Sequence, residues 1–175
     1  MIDNIFSSTI RKYRIDDQLL KSWAYVQYDK DKFNIQSPFR IDLTEIPTNI
    51  ADEYKQITEK LLEDLNISDT HVAFITNMIL SVLEKGDSMD RCNTLPSHYT
   101  ATHYLSGSDA DIFYHPARSL LTLCTPGLDE WGSATSLYVN EGDVIVHPSY
   151  LEYNTPTVKK QRMAMTILIS LQEKE

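Results

Sequence analysis

The chain of 175 residues is the length of one domain, and 42% apolar residues suffice for a core, which excludes wholesale disorder. With 16 basic against 25 acidic residues the net charge is −9, so the surface repels phosphate backbones and anionic lipid, and no nucleic-acid or membrane partner is expected. No apolar run reaches the ~18 residues of a membrane span. The opening residues 1–17 lack the apolar stretch of a secretory leader, and two cysteines, Cys92 and Cys124, make no disulfide framework. A soluble cytoplasmic protein is the expectation.

In chain order, a short helix is predicted over about 16–24, with Leu19, Leu20 and Trp23 on its buried side. A clearer one follows over roughly 50–65. Its residues Ile50, Tyr54, Ile57, Leu61 and Leu65 recur at three and four positions and make one apolar stripe. Thr48 or Asn49 is positioned to cap its start and Asn66 to end it. A strand is expected over 71–84, with Val72, Phe74, Met78, Leu80 and Val82 on alternate positions, closed by the turn Glu84-Lys85-Gly86-Asp87. All five glycines and five of the seven prolines fall between residues 86 and 156, which breaks the second half into short pieces. Short strands are expected at 101–105, 111–114, 119–124, 136–139, 144–147 and 163–171, the spacing of a β-sandwich or jelly roll. In the last strand Met163, Met165, Ile167 and Ile169 share one face, and Arg162, Ala164, Thr166 and Leu168 share the other. One face should look into the roll and the other should lie under the amino-terminal helices. The expected organisation is a single domain, with a helical support region (1–70) and a jelly-roll core (71–175).

The segment Glu141-Gly-Asp-Val-Ile-Val-His-Pro-Ser-Tyr-Leu-Glu-Tyr153, then Thr155-Pro156 and Arg162-Met-Ala-Met-Thr-Ile-Leu-Ile-Ser170, resembles the carboxy-terminal half of the Fe(II)/2-oxoglutarate-dependent oxygenases. The likeness is to the small phage and marine bacterial type. Ile5-Phe6-Ser7-Ser8-Thr9, Lys85-Gly86-Asp87 and Thr100-Ala101-Thr102-His103-Tyr104-Leu105 resemble that group's start and middle. The resemblance implies a double-stranded β-helix (jelly roll) backed by amino-terminal helices. It also implies an Fe(II) centre held by two His and one carboxylate, a set that suits non-haem iron. Here the first ligand motif falls on Cys92-Asn93-Thr94 and the distal His on Tyr153, and none of these is His, Asp or Glu. Glu152 adjoins Tyr153, but neighbours in a strand point to opposite faces. Asp90 and His98 lie near the first motif. Arg162 does match the family's arginine, which pairs with the far carboxylate of 2-oxoglutarate, a task suited to guanidinium. The plainer reading of Arg162 is a strand-start arginine with its head in solvent or on an acid. Tyr104 occupies a family pocket position and is otherwise a core tyrosine.

Five histidines (His71, His98, His103, His115 and His147) raise a metal reading against that of scattered packed or exposed side chains. His115 and His147 each precede a proline, and His147 stands where the family pattern has a packed aromatic. His98-Tyr-Thr100 and His147-Pro-Ser149 form a pair of the His-x-hydroxyl type that can serve phosphoester chemistry. Cys124 reads as core and Cys92 as the more exposed thiol in a polar loop. In the loop Thr125-Pro-Gly-Leu128-Asp-Glu-Trp131-Gly, Leu128 and Trp131 can anchor a partner or fold back as a lid.

The resulting expectation is a non-catalytic, oxygenase-like jelly roll without metal or cofactor. It would act as a binding or assembly module toward a protein partner or itself, in a phage setting as a structural protein of the virion or host cytoplasm. The alternative is an active Fe(II)/2-oxoglutarate hydroxylase in which Arg162 holds the co-substrate and Asp90 or His98 is recruited to the metal.

Overall fold

The computed structural model describes residues 9–15, 18–31, 38–114 and 134–174. Strand β1 (Arg11–Arg14) leads into helix α1 (Gln18–Asp31), which extends well beyond the predicted 16–24. Leu20 and Ala24 are wholly buried and Trp23 packs beside them, whereas Leu19 is 67% exposed. Neighbouring helical residues lie about 100° apart, so Leu19 cannot share the buried side with the Leu20–Ala24 pair. The short strand β2 (Phe39–Ile41) precedes helix α2 (Thr48–Asp64).

Helix α2 has the predicted stripe: Ile50, Tyr54, Ile57 and Leu61 are buried and Leu65 packs against them. Neither Thr48 nor Asn49 caps it. Pro47 holds that position, and its carbonyl accepts from the N–H groups of Ile50 and Ala51 at 3.0 Å each. Asn66 does end the helix, in the left-handed region at φ 56°. The Asn66 N–H donates to Glu63 O at 2.9 Å and the Ile67 N–H to Leu62 O at 3.1 Å, the paired closing bonds of a Schellman turn.

Among the described residues eight strands follow: β3 (His71–Leu83), β4 (Met89–Cys92), β5 (Tyr99–Ser106), β6 (Asp109–Tyr114), β7 (Ala134–Val139), β8 (Asp143–Pro148), β9 (Glu152–Thr155) and β10 (Arg162–Glu173). The protein is mainly β, with two antiparallel sheets. The larger has the order β1-β8-β5-β10-β3-β2 and the smaller β4-β9-β6-β7. From β4 onward the chain crosses repeatedly between them. The predicted strand at 119–124 lies outside the described residues, as do His115, Cys124, Leu128 and Trp131.

The two faces of β10 divide the core. Met163, Met165, Ile167 and Ile169 pack with the stripes of α1 and α2 and with Met78, Leu80 and Val82 of β3. The opposite face, carrying Ala164, joins Tyr104, Ile145, Phe113, Val139 and Tyr153 between the sheets. Phe74 departs from expectation at 47% exposed. The ladder with β10 slips between Leu168↔Asn77 and Ile169↔Ile75, leaving Thr76 as an extra residue. A bulge of one residue moves every later side chain to the other face. Ala73 and Ile75 therefore face the helices before it and Met78 and Leu80 after it, while Phe74 points to solvent.

These placements separate two substitutions that the raw alternation would treat alike. Met165→Ala should cost about 2–5 kcal/mol and Phe74→Ser less than about 0.5 kcal/mol, read as urea midpoints at constant slope. Equal losses would put Phe74 in the core and contradict the bulge.

Candidate functional site

The space between the sheets is where chemistry would have to occur, and inward-facing polar residues mark it. Asp111 sits on β6 and is 1% exposed; Arg162 begins β10 and is 4% exposed. Arg162 Nη2 donates to Asp111 Oδ2 at 2.6 Å. The same oxygen accepts from the Tyr104 hydroxyl at 2.5 Å, and Oδ1 accepts from the Thr155 hydroxyl at 2.8 Å. The guanidinium also lies over the Tyr104 ring, 4.6 Å from its centroid. Burial, and then the Asp111 charge, push the Tyr104 phenol well above its usual range, so it remains a neutral donor. The expected residues Arg162 and Tyr104 are thus brought together, and their common partner is the protein's own carboxylate. Gly107, at φ +79°, lets the β5–β6 turn press on this strand start: a Cβ there would lie 2.9 Å from Gln161 O and 3.2 Å from Arg162 Cα.

Beside this network the ligand-aligned positions meet. Cys92 and Tyr153 are direct cross-strand partners on β4 and β9. The Tyr153 hydroxyl is hydrogen-bonded to the Cys92 sulfur and to Thr166. Cys92 closes a strand, which corrects its placement in a loop, and is half-buried; burial first of all pushes its thiol up, away from the reactive thiolate. Tyr153 stacks on Phe113 with centroids 5.9 Å apart. His147 stands edge-on to both, at 5.0 Å from Phe113 and 5.3 Å from Tyr153. Its Nδ1–H donates to the Pro148 carbonyl at 2.9 Å, leaving Nε2 as a buried lone pair. Burial pushes the imidazole down to about 4, so it is neutral and packs as an aromatic.

Asn93 is exposed, with Oδ1 accepting from the Leu95 N–H at 3.4 Å, and Thr94 begins a chain of hydroxyls. Thr94 bonds Thr100, Thr100 bonds Ser149 at 2.8 Å, and Ser149 bonds Ser97 at 2.9 Å. Thr100 and Ser149 are wholly buried, so the hydroxyls of the two His-x-hydroxyl pairs bond each other. The recruitable groups lie elsewhere. Glu152 faces outward in an ion pair with Arg91, which also covers Tyr114 at 4.1 Å. Asp90 is exposed, and His98 is exposed with Nδ1 accepting the Leu171 N–H at 3.2 Å. His103 lies under the helices, with Nδ1 3.1 Å from the Tyr54 hydroxyl. His71 bonds Thr70 at the start of β3. Among the described residues no three His, Cys, Asp or Glu converge as metal ligands.

Sequence reasoning passed over Asp111, Thr155 and Phe113. A signal was present: Asp111 shares its strand face with Phe113, and a carboxylate on an inward face needs a buried partner. Arg162, at the edge of the apolar strand β10, is a charge of opposite sign that could supply it.

The arrangement invites comparison with known proteins. No family model matches the sequence, and no curated protein matches it. Solved structures do. A prolyl-4-hydroxylase from Pseudomonas putida is 11% identical with a TM-score of 0.63, over 94% of this chain and 93% of its own. HygX from Streptomyces hygroscopicus, solved with nickel and 2-oxoglutarate bound, is 11% identical at 0.60, over 93% and 82%. The viral collagen prolyl hydroxylase of Paramecium Bursaria Chlorella virus-1, in its 2-oxoglutarate complex, is 12% identical at 0.60, over 91% and 94%. The shared fold is that of the Fe(II)/2-oxoglutarate oxygenases. In this version of the oxygenase fold, the residues at the expected ligand positions do not suit Fe(II). They are a thiol of raised pKa, an amide, a hydroxyl and a phenol, where ferrous sites take imidazole and carboxylate.

Two outcomes follow from this interior. Asp111→Asn leaves the Arg162 charge buried without a counter-ion and should cost about 3–5 kcal/mol in urea unfolding, while the double change Asp111→Leu with Arg162→Met should cost less than the single one. His147 gives a pH signature. The unfolded chain, titrating near 6.5, takes up a proton that the folded one refuses until about pH 4. Stability should therefore fall by about 1.4 kcal/mol per pH unit over that window through this group. The difference curve between wild type and His147→Phe should show that slope; a flat difference would mean that His147 is not held neutral.

Proposed function

We propose that β3–β10 form a double-stranded β-helix, a jelly roll within a single domain, and that this roll is non-catalytic and serves as a binding or assembly module. One observation carries the reading: the interior is filled by its own side chains. Asp111 takes the guanidinium that an anionic co-substrate would need. Tyr153, at the position aligned with the family's distal His, is packed between Phe113 and His147, and a cavity of about 20 Å³ lies between Arg162 and Thr102. A volume of that size admits one water. The function of such a body would lie on its surface, toward a protein partner or a second copy. Leu19, Val26, Leu95, Tyr138 and Tyr150 offer exposed apolar contacts there. No helix among the described residues is long and apolar enough to cross a membrane. A phage structural role rests on the sequence resemblance alone.

The rival reading, an active Fe(II)/2-oxoglutarate dioxygenase, draws on the fold, and fold does not by itself give function. Anaerobic titration with Fe(II) and 2-oxoglutarate separates the two. The module should develop no visible charge-transfer band and show no rise in thermal midpoint, and light scattering after size exclusion should give a defined oligomer or a stable complex. A metal-to-ligand band with a raised midpoint would establish the rival.

A further inference from the structure

Among the described residues, two buried donors in the interior have no protein partner: Arg162 Nη1 and the Thr102 hydroxyl. Both residues line the ~20 Å³ cavity between the sheets, together with Ser81, Thr155, Thr166 and Tyr153. Arg162 Nη1 carries only protons, so whatever meets it must accept. The other four hydroxyls are already hydrogen-bonded. Ser81 donates to Ala164 O at 3.3 Å and Thr155 to Asp111 Oδ1 at 2.8 Å. Tyr153 is bonded to Thr166 and to Cys92. The cavity wall therefore presents two unmet donors among hydroxyl oxygens that can still accept.

That pattern matches one molecule of water, which accepts twice and donates twice. It mismatches a halide, which would face lone pairs, and the Arg162 charge is already balanced by Asp111, so a second anion would leave the dry interior net negative. We propose that the roll has a built structural water site bridging Arg162 Nη1 and Thr102 Oγ1, and that this water completes the hydrogen bonding of the Arg162–Asp111 pair. Buried waters of this kind typically make about three hydrogen bonds and are costly to remove.

Crystals of the full chain grown in sodium bromide would test the site. The expected result is one density peak within hydrogen-bond distance of both donors, with no anomalous signal at the bromine edge. Bromine signal there would make it an anion site, and no peak at all would leave the donors dry; either overturns the proposal. In solution, oxygen-17 relaxation dispersion counts long-lived internal waters. Thr102→Val should lose one relative to wild type, and Thr102→Ser should keep it. An unchanged count in Thr102→Val would contradict the bridge.

Discussion

A buried guanidinium facing a buried carboxylate governs this interior. Removing either ion from water costs several kcal/mol, and the mutual attraction repays that only when the remaining donors and acceptors are satisfied. Asp111 meets the condition with three protein donors, from Arg162, Tyr104 and Thr155. Those residues come from β10, β5 and β9, so the pair is satisfied only if both sheets hold one relative position. Its contribution is registry more than net stability. A slip of one residue in β6 or β10 would turn one partner to the other face of its sheet and leave the other buried without its counter-ion.

The rest of the interior follows from the same demand for satisfied or apolar side chains. Next to the ion pair, Phe113, Tyr153 and His147 form an aromatic group, with His147 neutral because burial outweighs its bond to a backbone carbonyl. Beyond it, Thr94, Thr100, Ser149 and Ser97 consume one another's hydrogen bonds. The Fe(II)/2-oxoglutarate oxygenases of the same fold include proteins solved with a metal and 2-oxoglutarate. At 11–12% identity the backbone plan is shared and the interior chemistry is not thereby inherited.

Legibility in the sequence tracked the strength of each physical signal. Helix α2 and the two faces of β10 were readable because burial imposes a strict period on apolar residues there. Strands β1, β2, β4 and β9 were not, being three or four residues long, too short to show a period. The bulge at Thr76 was invisible because threonine suits a strand on either face, and it reversed the expected role of Phe74. At the candidate site, Arg162 and Tyr104 were found by resemblance, and Cys92 and Tyr153 by alignment to ligand positions. Asp111 was missed because its role depends on contact between the sheets, a relation over 51 residues that no local pattern encodes.

Arg162 already has its carboxylate. A crystal structure of the full chain grown with Mn(II) and 2-oxoglutarate in excess reads this directly. Arg162 Nη2 should remain on Asp111 Oδ2, with Tyr153 still stacked on Phe113 and no metal density beside Cys92. Asp111 swung away, with the carboxylate of 2-oxoglutarate on Arg162 and a metal seated between β4 and β9, would contradict it.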